Sequence, residues 1–127
     1  MGILESSGER RKFIRYKVNK DAFAVIRTGD NKLGRICDVS KGGLSFEYIT
    51  KGEPSKGLTE LDIFTTENDF YLKLLPVQVI MDSTVESEHV FSSLEMRRLG
   101  VQFGEMTPNQ MSKLDYFLQH HTSAGSA

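Results

Sequence analysis

Hydrophobic and polar residues alternate along most of the chain with the period of two that is typical of half-buried β-strands. In residues 44–48, for example, leucine, phenylalanine and tyrosine alternate with serine and glutamate. Runs of turn-forming residues such as Gly, Asn, Asp and Ser separate these stretches. The predicted strands centre on residues 22–26, 33–39, 44–48, 61–63, 70–81 and 99–103.

The alternation changes phase inside the strand predicted over residues 70–81. Its hydrophobic positions are even-numbered from 70 to 74 and odd-numbered from 77 to 81, with Pro76 between them. A proline at such a break predicts a β-bulge or a bend, as where a sheet curls into a barrel.

Near the C-terminus the hydrophobic period changes from strand-like to helical. Residues 107–110 (Thr-Pro-Asn-Gln) place threonine at the N-cap, proline at the first helical position and glutamine at the third, which is a capping box. The helix is predicted to end near His120 or His121. Its hydrophobic face is predicted to carry Met111, Leu114, Phe117 and Leu118. Six or seven strands followed by one amphipathic helix predict a mostly β protein, a small antiparallel β-barrel with the helix over one end or across an outer face.

Composition places the chain among soluble globular proteins. Its 127 residues are 39% hydrophobic and 26% charged, which suits one domain with a single core. No apolar run approaches the roughly 20 residues of a membrane span, and the first residues lack the layout of a secretory signal. The single cysteine, Cys37, excludes an internal disulfide and a multi-cysteine metal site. We therefore expect a cytoplasmic protein without a membrane span.

Positive charge is concentrated in residues 9–17, just before the first clear strand. This segment holds five basic residues and one acidic residue, in a chain whose formal net charge is −1. The overall balance argues against a general nucleic-acid coat protein, which is normally basic throughout. A local group of arginines instead indicates a small anionic partner.

Two short motifs stand out in combination. Arg11 and Arg15 form an Arg-x-x-x-Arg pair, and Asp38, Ser40 and Gly43 form an Asp-x-Ser-x-x-Gly turn. Each is ordinary alone, because arginines four apart are common on solvated surfaces and Asp, Ser and Gly favour turns. Together, one precedes the first barrel strand and the other joins the second and third strands.

This combination resembles the double motif of the PilZ domain family, bacterial receptors for the second messenger cyclic di-GMP. Residues 99–103 are similar to the family's late strand, and the helix starting at Pro108 is similar to its closing helix. The resemblance covers roughly residues 9–120. It implies one PilZ-like domain over residues 9–121. Residues 1–8 show little periodicity and residues 122–127 are polar, so both segments are expected to be flexible.

The residue types of the two motifs suit that ligand. An arginine can pair with a phosphate or with guanine O6 and N7, and its planar face can stack on a base. Asp38 can accept hydrogen bonds from guanine N1–H and N2–H₂, and Ser40 can bond nearby. Two glycines able to take positive φ would let the backbone turn sharply beside the ligand. The predicted ligand-binding residues are Arg10, Arg11, Arg15, Asp38, Ser40, Gly42, Gly43 and, in second rank, Arg98.

Two of these arginines have open alternatives. In the family, an arginine at the position of Arg10 is associated with two intercalated ligand molecules rather than one. The alternative for Arg10 is simple solvent exposure. Arg98 precedes the last predicted strand, where the family often carries a basic residue, and its alternative is a strand-flanking charge.

The histidines and the cysteine give little support for metal binding or catalysis. His89 and the His120–His121 pair have no spaced metal partner, so neither a metal nor a cofactor is predicted. Cys37 is expected inside the barrel or beside the turn. With no adjacent histidine or other activating base in the sequence, it is not predicted to be a catalytic thiol. The chain is therefore not predicted to be an enzyme.

The resulting hypothesis is a cyclic di-GMP receptor or adaptor. Binding would order the arm of residues 10–15 against the turn of residues 38–43 and alter contacts with an effector protein of motility, polysaccharide or regulatory machinery. A first alternative is a PilZ-fold scaffold that acts without nucleotide. A second is a barrel that binds single-stranded nucleic acid, although only Phe13 and Tyr16 flank the basic residues as stacking aromatics.

Overall fold

The computed structural model describes residues 13–27, 31–50, 53–67, 69–85 and 94–123. These residues form seven strands and one helix: β1 (Tyr16–Lys17), β2 (Ala22–Arg27), β3 (Lys32–Val39), β4 (Gly43–Thr50), β5 (Gly57–Thr65), β6 (Tyr71–Thr84), β7 (Glu95–Phe103) and α1 (Pro108–His120). Within those ranges no helix has the length and apolar character needed to cross a membrane.

The strands form a closed antiparallel barrel. Hydrogen bonding runs in the order β1-β3-β2-β5-β6-β7-β4, and an additional β3–β4 pairing closes the ring. Strands β2 to β7 are therefore the six barrel strands, while β1 is a short extra strand on the edge of β3. This arrangement, with its single C-terminal helix, confirms the predicted fold class.

The barrel interior is filled by the inward-facing residue of each strand alternation. Leu44, Phe46 and Tyr48 of β4 are all buried, as the sequence pattern predicts. The side chains of the other barrel strands meet them in one continuous hydrophobic cluster. Because the sheet closes on itself, these side chains are shielded from water. The burial of their apolar surface is the main contribution to the stability of the fold.

The capping box predicted for α1 is present. The backbone N–H of Gln110 donates to Thr107 Oγ1 at 3.1 Å, and the backbone N–H of Thr107 donates to Gln110 Oε1 at 3.0 Å. The helix ends at His120, also as predicted. These bonds satisfy donors that a helix start would otherwise leave without partners.

One face of α1 continues the barrel core. Leu114, Phe117 and Leu118 are buried, and Phe117 packs on Phe70 of the β5–β6 turn with ring centroids 5.4 Å apart. The helix therefore lies over the barrel end at which β5 turns into β6. Met111, which the spacing assigned to this face, is 49% exposed, so that assignment is wrong. The first helical turn instead contacts β6, where the Gln110 amide donates to the Lys73 and Leu74 carbonyls.

The predicted bulge in β6 is confirmed, just before Pro76. Leu61 pairs with Leu75 and Ile63 with Leu72, so Asp62 alone faces two residues of β6. The second of these two, Leu74, has a φ of 60° and a side chain that is 41% exposed. A left-handed leucine is a strained conformation, and it needs local bonds to persist.

Asp62 supplies those bonds. Its side chain is only 4% exposed, and it accepts from the Leu74 N–H at 2.8 Å, from Tyr71 Oη at 2.7 Å and from Arg27 Nη2 at 2.7 Å. Burial alone would raise the pKa of Asp62, but these donors hold it below its usual value. The Gln110 amide of α1 donates to the Leu74 carbonyl at 3.0 Å, so the bulge also anchors the start of the helix.

A second buried carboxylate lies at the opposite end of the barrel. Asp82 of β6 accepts from Tyr48 Oη at 2.6 Å, from the Ser55 N–H at 2.6 Å and from Arg97 Nε at 2.8 Å. Arg97 also donates to Glu95 Oε1 at 2.6 Å. These bonds join β4, β6, β7 and the segment before β5.

Candidate functional site

The chain approaches the barrel through β1, which sets the position of the residues before it. Tyr16 pairs with Val39 and Lys17 with Asp38, so β1 lies along the end of β3. This register places Arg15 beside Asp38, and Arg15 Nη1 donates to Asp38 Oδ1 at 2.6 Å. One residue of each sequence motif is thereby joined in an ion pair, although they are 23 positions apart.

A β-bulge in β3 turns Asp38 toward the outer surface. Ile36 pairs with Phe46 and Asp38 with Ser45, so Cys37 is an extra residue in β3. In a regular strand Asp38 would share the inward face of Ile36; the bulge puts Cys37 and Asp38 on the outer face together. There, Asp38 Oδ1 also accepts from Ser45 Oγ at 3.2 Å.

The turn after β3 is closed by Ser40. Its backbone N–H donates to the Gly43 carbonyl at 2.8 Å, and its Oγ accepts from the Gly42 N–H at 3.0 Å. Ser40 is buried, so its hydroxyl holds the turn in shape. The Ser40 hydroxyl, which the sequence predicts to bond the ligand, therefore bonds the backbone of its own turn.

The two glycines of the turn are needed for close approach rather than for positive φ. Among the described glycines only Gly57 has a positive φ, so that part of the sequence prediction is wrong. A Cβ on Gly43 would lie 2.2 Å from the Val101 carbonyl oxygen, and one on Gly42 would lie 2.6 Å from Cδ2 of Phe13. The Phe13 ring therefore rests directly on the Gly42 backbone.

A second arginine–carboxylate pair lies on the same outer surface. Glu47 of β4 and Arg98 of β7 are directly opposite in the register, and Arg98 Nη2 donates to Glu47 Oε2 at 2.7 Å. Arg98 is close enough to Asp38 for the aspartate to contribute to the raised pKa of the arginine, after the larger effect of Glu47. The pairs Arg15–Asp38 and Arg98–Glu47 thus run side by side across β3, β4 and β7.

Cys37 lies beside this second pair. Burial raises the pKa of its thiol, the Glu47 carboxylate raises it further, and Arg98 acts in the opposite direction. The cysteine is therefore on the outer face beside the turn, the second of the two predicted locations. Because the net shift is upward, the thiolate is disfavoured despite its basic neighbour.

The structure brings most of the predicted ligand-binding residues to one surface. Arg10 and Arg11 lie outside the described residues. The residues that are brought together are Arg15, Asp38, Ser40, Gly42, Gly43 and Arg98.

Sequence reasoning missed three side chains that shape this surface: Phe13, Ser45 and Glu47. The alternation of β4 could have placed Ser45 and Glu47 on the outer face. The bulge also left a signal, because Ile36 and Val39 are both buried yet three positions apart, an odd spacing that a regular strand does not allow. The contact between Phe13 and Gly42 has no comparable signature.

A cleft of about 440 Å³ lies between the segment before β1, the β3–β4 turn and the end of α1, and its lining includes both chain neighbours of Arg15. Phe13, Ile14, Lys41 and Leu118 are among the residues that line it. The site is thus an outer barrel surface flanked by an apolar cleft.

This arrangement can bind a ligand that carries anionic groups and ring N–H donors. The guanidinium groups supply donors in a fixed planar geometry, and the Asp38 carboxylate supplies acceptors. Within the described ranges, no group of three or more His, Cys, Asp or Glu residues could hold a metal ion. The guanidinium and carboxylate groups offer recognition by charge and hydrogen bonding.

Comparison with known proteins identifies relatives of this fold. The family model of the PilZ domain matches residues 9–120. The fold is similar to the PilZ domain with c-di-GMP of YcgR from Escherichia coli, with a TM-score of 0.65 and 18% sequence identity over 84% of this chain and 87% of that chain.

Longer proteins contain the same fold. YcgR from Escherichia coli in complex with c-di-GMP matches with a TM-score of 0.62 and 18% identity over 85% of this chain and 44% of that chain. The MrkH–c-di-GMP complex of K. pneumonia matches with a TM-score of 0.63 and 19% identity over 87% of this chain and 50% of that chain. The chain therefore spans about half of these longer proteins. No curated protein is significantly similar in sequence.

Proposed function

This chain belongs to the PilZ domain family, and from that premise we propose that it is a receptor for cyclic di-GMP. The observation that carries the proposal is the 2.6 Å ion pair between Arg15 and Asp38. It joins the arginine motif to the turn motif on an exposed surface, with Arg98 beside them. The similar YcgR and MrkH structures are described as holding c-di-GMP, which supports the same ligand for this chain.

Each side chain has a role that its chemistry suits. Asp38 accepts from the N1–H and N2–H₂ edge of a guanine; among the described residues its Oδ1 has two donors and its Oδ2 none. Arg15 reaches a phosphate or a guanine face from its place beside Asp38. Gly42 and Gly43 keep the turn in shape, because the absence of a Cβ lets the Phe13 ring lie on Gly42 and lets Gly43 fit against the Val101 carbonyl.

The arm is proposed to close in two parts. Phe13 on Gly42 and Arg15 on Asp38 hold the inner part of the arm against the turn. The ligand then draws Arg10 and Arg11 toward its phosphates and its second guanine. Closure changes the surface next to the cleft formed with α1, and that change is the proposed signal to an effector protein.

Calorimetric titration with cyclic di-GMP tests the proposal. We expect saturable binding to the wild-type protein with two ligand molecules per chain, because Arg10 offers a further guanidinium for a second, intercalated molecule. Arg10→Ala is expected to reduce the stoichiometry to one. Lys12→Ala, which removes a charge from the same segment, is the matched control and should keep the wild-type stoichiometry.

The alternative functions give different results. A protein that shows no heat of binding and no thermal stabilisation by the nucleotide is a scaffold, and the proposal fails. Binding of single-stranded RNA with steep salt dependence, stronger than binding of cyclic di-GMP, indicates a nucleic-acid barrel instead.

The contact between the Phe13 ring and Gly42, which holds the arm against the turn, gives a separate prediction. Gly42→Ala and Phe13→Ala remove the same contact from its two sides, and each is expected to weaken cyclic di-GMP binding by about three- to tenfold, because the arm loses pre-organisation. Phe13 is 45% exposed, so thermal unfolding should change little. The double variant should bind like either single variant. Additive losses would show that the two residues act separately.

A further inference from the structure

Arg98 has one strong partner and one buried donor with none. Its Nη2 donates to Glu47 Oε2 at 2.7 Å, whereas its Nε is buried without a hydrogen-bond partner. Among the described residues this Nε is the one buried side-chain nitrogen or oxygen in that condition. A buried donor without a partner is unfavourable and uncommon, so this atom needs a physical explanation.

The surroundings of this pair are those of the proposed ligand surface. Glu47 and Arg98 face each other across β4 and β7, and Ser45, two residues before Glu47, donates to Asp38. On its other side Glu47 is opposite Arg35 of β3. Glu47 is thus an acidic group between two arginines, on a surface proposed to take a dianion.

We propose that Glu47 sets the affinity of the cyclic di-GMP site, as a counter-ion that occupies Arg98 and that the ligand has to displace. The inference rests on the proposed function. A guanine O6/N7 edge or a phosphate oxygen accepts from Arg98 in place of the Glu47 carboxylate. Reorientation of the guanidinium also gives its Nε a partner. Glu47 then sets how strongly a ligand must bind before Arg98 joins the site.

The solvent exposure of Arg98 and Glu47 determines how strongly Glu47 should affect ligand binding. The Arg98 and Glu47 side chains are 43% and 31% exposed, so water screens the pair. An ion pair with this exposure shifts the equilibrium between its paired and separated states by about fivefold or less. Repulsion between the Glu47 carboxylate and the ligand phosphates acts in the same direction. Glu47 should therefore weaken binding moderately, within the range that tunes a receptor.

The test is calorimetry with cyclic di-GMP on the wild type, Glu47→Gln, Arg98→Ala and the double variant. Glu47→Gln is expected to bind roughly three- to tenfold more tightly at low salt, with a smaller gain at high salt. In the Arg98→Ala background the same change should give a clearly smaller gain, because no guanidinium is left to release and only the repulsion between Glu47 and the phosphates is removed. Glu60→Gln, an exposed glutamate on β5, is the charge-matched control and should bind as the wild type does.

The thiol of Cys37 gives a second readout that needs no nucleotide. Cys37 is the only cysteine of the chain, and the Glu47 carboxylate raises its pKa while Arg98 lowers it. Glu47→Gln should therefore speed alkylation of the thiol at pH 8, and Arg98→Ala should slow it. Unchanged alkylation rates in both variants would contradict the described cluster.

The outcomes separate the two proposals. If the wild type binds and Glu47→Gln binds equally or more weakly, the counter-ion inference is wrong while the receptor function stands. A gain of undiminished size in the Arg98→Ala background also overturns it, because the whole effect is then general charge repulsion. If no variant binds cyclic di-GMP, the receptor function fails and the inference fails with it.

Discussion

Replacing Asp38 by alanine is expected to weaken cyclic di-GMP binding by about 100-fold, because a guanine held by a carboxylate loses charge-assisted bonds worth roughly 1.5–3 kcal/mol. The change also releases Arg15, whose Nη1 lies 2.6 Å from Asp38 Oδ1. Both motifs are thus impaired by one substitution. Calorimetry at constant salt measures the loss.

Folding should be nearly unaffected by that change, which separates a binding defect from a folding defect. The Arg15 and Asp38 side chains are 24% and 30% exposed, and such a pair contributes about 1 kcal/mol or less to stability. Asp38→Asn is the conservative companion: its amide keeps the shape but places donors against guanine donors, so it should bind weakly as well. Wild-type affinity in both variants would remove Asp38 from the site.

Asp82→Ala is expected to have the largest effect on stability, a loss of about 3–5 kcal/mol, because it leaves the buried Arg97 guanidinium without its main counter-ion. The Asp82 side chain is 2% exposed and has three donors, from Tyr48, Ser55 and Arg97. Since small domains are stable by only about 5–15 kcal/mol, this is a large fraction of the total. Urea unfolding followed by circular dichroism measures it.

An exposed aspartate provides the control for this experiment. Asp115 of α1 is exposed, and Asp115→Ala should change the free energy of unfolding by about 0.5 kcal/mol or less. A loss below about 1 kcal/mol for Asp82→Ala would mean that the buried network contributes much less than its geometry indicates.

The same carboxylate predicts how stability depends on pH. Burial alone would raise the pKa of Asp82, but the bonds from Tyr48, Ser55 and Arg97 lower it below its usual value. Its contribution is therefore full above the unfolded-state pKa of about 4 and is lost as the pH falls toward the folded-state pKa. Asp82→Asn should lose less stability than the wild type between pH 7 and pH 3. An unchanged acid sensitivity would assign this loss to other carboxylates, such as Asp62.

Several features of the fold could be predicted from local patterns alone. The strand alternation, the break before Pro76 and the capping box at Thr107 depend on neighbouring residues, and the structure contains all three. The interior of β4 was predictable for the same reason. Local geometry determines these features, because side-chain direction follows directly from strand or helix period.

The candidate site could be predicted by residue type but not by geometry. The sequence contained both motifs, and the odd spacing of Ile36 and Val39 is compatible with a bulge. Only the strand pairing places that bulge at Cys37 and turns Asp38 outward. Positive φ was the natural expectation for Gly42 and Gly43. The actual constraint is contact with the Phe13 ring and the Val101 carbonyl, groups far away in sequence.

By itself, then, the sequence determined a β-barrel with a closing helix and the residue types of the proposed site for a guanine-containing anion. Only the tertiary structure decided which side chains share a surface. Barrel closure brings β4 between β3 and β7, and this puts Glu47 on Arg98 and Ser45 on Asp38. Those contacts depend on register and on bulges, which are set by long-range strand pairing rather than by local residue preference.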